Sequence, residues 1–183
     1  MNIKMPNRNC KMATGVHWIV VGVVTRRRPL MFTDLLRSFE TLSLPENIKL
    51  SFCFVENDSI LSITEKVAQF GCKTGFDVQA HLEPQLGIPF ARNSVLNWAV
   101  DAGADYLVFI DDDETAPPDW LLELYLCQKK SAADLVGGPV SRTNICESAT
   151  GPGTPSTVQV VSEDELFSII RWCVGLSSQH LGL

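Results

Sequence analysis

Runs of apolar residues alternate along the chain with segments whose apolar residues recur at helical spacing. The runs are rich in β-branched and aromatic residues and end at polar or glycine-rich positions, which is typical of β-strands. They lie at residues 16–24, 49–55, 77–82, 105–110 and 134–137. Amphipathic helices are predicted between them, at residues 31–42, 60–70, 89–102 and 118–130. The pattern therefore predicts strands and helices in alternation.

This alternation, repeating about every 25 residues, is typical of βαβ units and predicts an α/β fold with a mostly parallel sheet flanked by helices. The first run, VHWIVVGVV, is continuously apolar, as expected for a strand that is covered on both faces. Right-handed crossovers make such a sheet doubly wound. Because ligands bind such sheets at the carboxyl ends of the strands, the polar residues after each strand are the candidates for function.

Composition narrows the possible classes of function, and the sequence divides the chain into three segments. The 183 residues carry a net charge of −6, which disfavours a nucleic-acid-binding surface. We expect a flexible lead-in at 1–15, an α/β domain at 16–140, and a loop with an atypical C-terminal segment at 141–183, including a helix at 163–175. The lead-in lacks the apolar core of a signal peptide, so we expect an intracellular protein. No CxxC pair indicates zinc, and Cys53, inside SFCFV, is expected to be a core residue.

Four acidic residues follow the predicted strand 105–110 in the segment FIDDDE. In extended backbone, Asp111 and Asp113 point to one side and Asp112 to the other. Crowded carboxylates are costly unless a cation neutralises them, and two on one side suit Mg²⁺ or Mn²⁺ shared with substrate phosphates. The alternative is a solvated acidic turn that caps the helix beginning near Pro118. Its position at a strand end favours the metal site.

Three further segments carry polar side chains that could bind a ligand, and each also has a purely structural interpretation. The segment VENDS at 55–59 could bond a nucleobase edge, although alone it favours a turn that caps the next helix. Arg92, in GIPFARN near a helix start, could face an anionic ligand or form a surface ion pair. The three arginines at 26–28 could meet a diphosphate or an anionic membrane, but the sequence favours a solvated basic turn.

Taken in order, these features resemble the donor-binding half of an inverting family 2 glycosyltransferase with the GT-A fold. The resemblance runs from about residue 16 to 140 and rests on VVT, VENDS, GIPFARN, FIDDDETAPPDWL and LVGGPV. It implies an enzyme that moves a sugar from a nucleotide-diphosphate sugar, most simply a UDP-sugar, to a glycan or lipid-linked acceptor. It further implies surface polysaccharide assembly, a cytoplasmic location, and peripheral association with the inner membrane face.

The resemblance also assigns residues. It implies donor binding by Thr25, Glu56, Asn57, Asp58, Arg92, Asp111 and Asp112, and binding of Mg²⁺ or Mn²⁺ by Asp111 and Asp113. The family usually has Asp at the position of Asn57, which leaves the nucleotide preference open.

The acceptor half of the family, which supplies the general base, has no clear counterpart here. Glu163 and Asp164 are the remaining candidates for that base, although they also suit the first turn of a helix. We therefore expect a C-terminally truncated transferase, with an inactive nucleotide-sugar-binding fragment as the alternative. A haloacid dehalogenase-type phosphatase, suggested by Asp111-x-Asp113-x-Thr115, is a third interpretation, but its motif usually ends the first strand.

Overall fold

Strands and helices alternate along the part of the chain that the computed structural model describes, residues 15–139 and 173–175. In chain order the elements are β1 (His17–Thr25), α1 (Pro29–Phe39), β2 (Ile48–Glu56), α2 (Thr64–Thr74), β3 (Asp77–Leu82), α3 (Ile88–Ala102), β4 (Tyr106–Asp111), α4 (Trp120–Ser131), β5 (Leu135–Val136) and β6 (Cys173–Gly175). Each strand and helix predicted between residues 16 and 137 is therefore present, with shifts of a few residues at the ends.

The sheet has the strand order β3-β2-β1-β4-β6-β5. Strands β1 to β4 are parallel, whereas β6 runs antiparallel between β4 and β5. The mostly parallel sheet is thus confirmed. The predicted helix 163–175 is wrong for its last three residues, which form β6, because apolar spacing alone does not separate a short strand from a helix end. The rest of that predicted helix lies outside the described residues.

The helices cover both faces of the sheet. Apolar residues of α1, α2 and α4 form one core cluster with alternate residues of β1, including Val21. Helix α3 forms a second cluster on the opposite face, where Val95 meets Val20. Because both faces of β1 are buried, its continuously apolar sequence is explained. The chain therefore leaves β1 toward one face and returns to β4 from the other, which opens a crevice between the carboxyl ends of these two strands.

Helix α2 differs from its prediction at both ends. We expected residues 60–70 with Gly71 at the end, whereas the helix runs from Thr64 to Thr74 and includes Gly71. Gly71 allows α2 to pack closely against β3, since a Cβ on it would lie 2.6 Å from Val78 Cγ2. The helix ends instead at Gly75, whose φ of 75° is the left-handed conformation that glycine adopts without strain.

Gly22, in the middle of β1, is expected to tolerate no side chain. A Cβ there would overlap Val95 Cγ1 of α3 and lie 3.1 Å from the Phe109 ring. Because this interface is close-packed, Gly22→Ala should lower the free energy of unfolding by about 1–3 kcal/mol. Urea denaturation measures the loss. Gly138→Ala is the matched control, since its nearest neighbour, Leu124 Cδ2, would lie at 3.8 Å and the substitution should cost less.

The buried position of Cys53 confirms that it is a core residue. Burial raises the pKa of its thiol to about 12, from an ordinary 9.0. Iodoacetamide at pH 8 should therefore modify the exposed Cys72 quickly and Cys53 only after unfolding. Since the folded pKa is the higher one, the stabilisation by the neutral thiol should be complete below pH 9 and decline as the pH rises toward 12. Peptide mass spectrometry distinguishes the two sites, and fast modification of Cys53 in the folded protein would contradict this assignment.

Candidate functional site

Polar side chains from three loops converge on an open cleft at the carboxyl edge of the sheet. The cleft has a volume of about 620 Å³. Its lining comes from the ends of β1, β2 and β4 and from the start of α3, and consists of Val24, Thr25, Arg26, Arg27, Arg28, Asn57, Gly87, Ile88, Arg92, Asp111, Asp112 and Asp113. The topology places the cleft there, because β1 leads into α1 on one face of the sheet while α3, on the other face, begins at the same edge.

A buried contact joins the two strand ends beneath the cleft. The Thr25 hydroxyl donates to Asp112 Oδ2 at 2.6 Å, and both residues are buried. The other oxygen of Asp112 accepts from Arg28 Nη1 at 3.0 Å. Both carboxylate oxygens of Asp112 are thus held by neighbouring side chains, which fixes the acidic turn after β4 against the basic turn after β1.

Asp111 and Asp113 present their carboxylates to the cleft. Their side chains are 50% and 48% exposed, in contrast to the buried Asp112. Arg92 Nη2 donates to Asp111 Oδ1 at 2.9 Å, and Arg28 Nη1 donates to Asp113 Oδ2 at 3.1 Å. Asp112 is thus separated from the other two acids, although Asp112 and Asp113 lie in a turn after β4 and not in the extended backbone that was expected. The acids of the cleft are therefore matched by arginines.

These carboxylates fit a hard divalent cation by the chemistry of their oxygens. Within residues 15–139 and 173–175, no group of three or more His, Cys, Asp or Glu side chains is arranged to hold a metal alone. Mg²⁺ sites commonly use one or two protein carboxylates and complete their coordination with water and substrate phosphates. Asp111 and Asp113, both accessible from the cleft, match that pattern.

The turn after β1 holds Arg27 in an unusual backbone conformation. Its φ of 54° is left-handed, which costs a non-glycine residue about 1 kcal/mol. The Arg27 guanidinium donates to both oxygens of Asp58, with Nη2 3.0 Å from Oδ1. This hydrogen bonding lowers the pKa of Asp58 to about 2 from an ordinary 3.8. The ion pair therefore stabilises the turn above about pH 4, and its contribution is lost as the pH falls through 2.

Glu56 and Asn57, at the end of β2, direct their polar atoms into neighbouring loops. Glu56 accepts from the Ser62 backbone N–H, from the Ser62 hydroxyl at 2.6 Å and from the Ile63 backbone N–H at 3.2 Å. The carboxylate thus holds the segment that leads into α2. Asn57 bonds to three backbone groups of the loop between β3 and α3.

The structure brings six of the residues singled out in the sequence to the cleft wall: Thr25, Asn57, Arg92, Asp111, Asp112 and Asp113. Glu56 and Asp58 are not among the described lining residues. Glu56 binds Ser62, and Asp58 binds Arg27. Glu163 and Asp164 lie outside the described residues. Residues 26–28 form an exposed basic turn, as the sequence favours, and all three arginines also line the cleft. Their position directly after β1, at the same edge as the acids, was the signal for them.

A family comparison identifies the family of this chain. The model for glycosyl transferase family 2 matches residues 21–172. The chain belongs to this family. The phosphatase interpretation is thereby overturned, in keeping with the position of Asp111-x-Asp113 after the fourth strand rather than the first.

Curated and solved relatives agree with this family. The succinoglycan biosynthesis protein ExoM of Rhizobium meliloti is 34% identical over 122 residues, which are 67% of this chain and 38% of that protein. The chain therefore spans well under half the length of this curated relative. TarS 1–349 of S. aureus, solved in complex with UDP, matches with a TM-score of 0.53 and 21% identity over 66% of this chain and 34% of that one.

A mannosyltransferase of Pyrobaculum calidifontis, solved with GDP-Man and Mn²⁺, matches with a TM-score of 0.55 and 18% identity over 64% of this chain and 34% of that one. These likenesses confirm the GT-A fold predicted from the sequence. Across the described residues, the helices are all too short or too polar to cross a membrane.

Proposed function

We propose that this chain carries the donor site of an inverting, metal-assisted glycosyltransferase. The donor is a nucleoside-diphosphate sugar, with UDP-sugars as the first choice, and the acceptor is a hydroxyl of a glycan or lipid-linked sugar. Family membership supports transfer of a sugar. The name of ExoM supports surface polysaccharide assembly, and the UDP and GDP-Man complexes of the two structural relatives support nucleotide binding. The proposed location is cytoplasmic, with peripheral contact at the membrane face.

The observation that carries this proposal is the pairing of acids with arginines in one cleft. Four arginines, at positions 26–28 and 92, line it together with three aspartates. Guanidinium groups bind phosphate oxygens through paired hydrogen bonds, so the arginines suit a diphosphate. The exposed carboxylates of Asp111 and Asp113 would hold Mg²⁺ or Mn²⁺. The cation would supply Lewis-acid stabilisation of the charge that develops on the leaving diphosphate.

The proposed reaction is one displacement at the anomeric carbon of the donor sugar. The acceptor hydroxyl oxygen forms the new bond to that carbon, while the bond from the carbon to the diphosphate oxygen breaks and its electron pair leaves with the nucleoside diphosphate. A general base takes the hydroxyl proton, and Glu163 and Asp164 stay the candidates for it. Arg28 and Arg92, which contact the acids of the cleft, would orient the diphosphate for this displacement.

A turnover assay tests the proposal. The protein is incubated with Mn²⁺, a β-linked oligosaccharide acceptor and an α-linked UDP-, GDP- or dTDP-sugar. Release of the nucleoside diphosphate is measured together with the anomeric configuration of the product by NMR. We expect release with a β-linked product. An α-linked product would contradict inversion. Nucleotide binding without release would favour the inactive donor-binding fragment, and no binding of any of the three would contradict the proposed site.

A further inference from the structure

All side-chain polar groups of Asn57 are engaged by the loop between β3 and α3. Its Nδ2 donates to the Glu83 carbonyl at 2.9 Å and to the Gln85 carbonyl at 2.7 Å. Its Oδ1 accepts from the Gly87 backbone N–H at 2.8 Å. The residue is only 4% exposed. Both amide hydrogens are therefore used and Oδ1 keeps one of its two lone pairs, so the buried amide has no donor left to present to a ligand.

The bonding pattern requires an amide. Two of the three partners are carbonyl oxygens, which accept, and the third is an N–H group, which donates. A carboxylate of the same shape could accept from Gly87 but would place a negative oxygen against the two carbonyls. Buried groups left without a partner cost about 1–3 kcal/mol each. The loop geometry therefore selects asparagine over aspartate at position 57.

The loop that Asn57 holds forms one wall of the cleft. Gly87 and Ile88 belong to the lining, and Gly87 directly precedes α3, which carries Arg92. Gly87 has a φ of 134°, a conformation that side-chain-bearing residues rarely adopt. The main chain of Asn57 is fixed as well, since its N–H donates to the Thr25 carbonyl at 2.9 Å. Asn57 thus ties the end of β1 to the start of α3 across the cleft.

We propose that Asn57 is a positioning residue that holds this wall of the cleft, and that it does not read the nucleobase. The inference rests on the proposed function, since it concerns how a nucleotide donor is held. A residue that reads the base changes the relative affinity for different bases when it is replaced. A residue that positions the wall changes the affinity for all of them together. The two roles therefore differ in a measurable ratio.

The test compares UDP, GDP and dTDP by calorimetry in the presence of Mn²⁺, below the unfolding temperature of each protein. Asn57→Asp should raise Kd about tenfold or more for each nucleotide, as expected from the loss of roughly 1.4 kcal/mol of binding free energy. The ratios among the three Kd values should stay within about twofold of wild type. Hydrogen exchange should rise at residues 83–87. Ser59→Ala, at an exposed neighbouring position, is the matched control and should change neither quantity.

A second variant keeps the inference testable if Asn57→Asp fails to fold. Gly87→Ala strains the same loop while retaining Asn57, and it should give the same uniform weakening. A selective loss of affinity for one base in Asn57→Asp would overturn the inference. So would unchanged affinities together with unchanged exchange at 83–87. Absence of nucleotide binding by the wild type would instead contradict the proposed function, and the exchange measurement would still test whether Asn57 holds the loop.

Discussion

Replacing Asp113 by asparagine should remove the dependence of nucleotide binding on Mn²⁺ and lower turnover about 10²–10³-fold, the usual effect of removing one group that stabilises developing charge. The carboxylate is half exposed and faces the cleft, so its charge is available to a cation. The fold should survive, because Thr25 and Arg28 still hold the neighbouring Asp112. Calorimetric titration with UDP, with and without Mn²⁺, measures the first effect, and a steady-state transfer assay measures the second.

The control for this substitution is Asp101→Asn. Asp101 is exposed near the end of α3, at the opposite edge of the sheet from the cleft. The Asp101→Asn substitution changes the net charge by the same amount as Asp113→Asn and should leave both measurements unchanged. An Asp113→Asn protein that binds UDP with wild-type affinity and the same response to Mn²⁺ would contradict the assignment of Asp113 as a metal ligand.

Replacing Phe52 by alanine should produce the largest loss of stability. Phe52 is fully buried in β2, and its ring centre lies 4.9 Å from that of Phe39 and 5.3 Å from those of Phe70 and Phe76. These rings join α1 and α2 to the sheet, so no single neighbour can fill the cavity. The expected decrease in the free energy of unfolding is about 3–5 kcal/mol, which urea denaturation measures.

Phe90→Ala is the matched control for that loss. Phe90 is 41% exposed in the first turn of α3, so the same truncation removes far less buried surface. Its effect should stay below about 1.5 kcal/mol, in proportion to the apolar area that it buries. Equal losses for the two variants would mean that the aromatic cluster around Phe52 is not the centre of the core.

The fold was predictable where one physical requirement determines the sequence. A strand buried on both faces must be apolar throughout, which made β1 and β4 evident. The acids after β4 were evident because crowded carboxylates at the end of a buried strand are costly unless their charge is neutralised. Thr25 entered through the family resemblance and Arg92 through its position near a helix start, and the structure places both at the cleft with those acids.

The remaining features depend on contacts between distant segments. The role of Gly71 could not be separated from that of a helix end, because the approach of Val78 is visible only in three dimensions. The engagement of Asn57 by the loop at 83–87 depends on which backbone groups face it. The contacts of Arg28 with Asp112 and Asp113 could not be predicted, since sequence spacing does not reveal a partner 84 or 85 residues away. Residues that line the cleft are therefore easier to predict from the sequence than the contacts that position them.

The central claim is that the cleft binds a nucleoside diphosphate with a divalent cation. Thermal unfolding of the wild-type protein with UDP, in the presence and absence of Mn²⁺, tests it most directly. A ligand at 100 times its Kd adds about 2.7 kcal/mol, which corresponds to roughly 5–11 °C for a domain of this size. The account predicts such a shift with UDP and Mn²⁺ together, and a much smaller one with either alone. The absence of any shift with UDP, GDP or dTDP, from a protein that unfolds cooperatively, would contradict it.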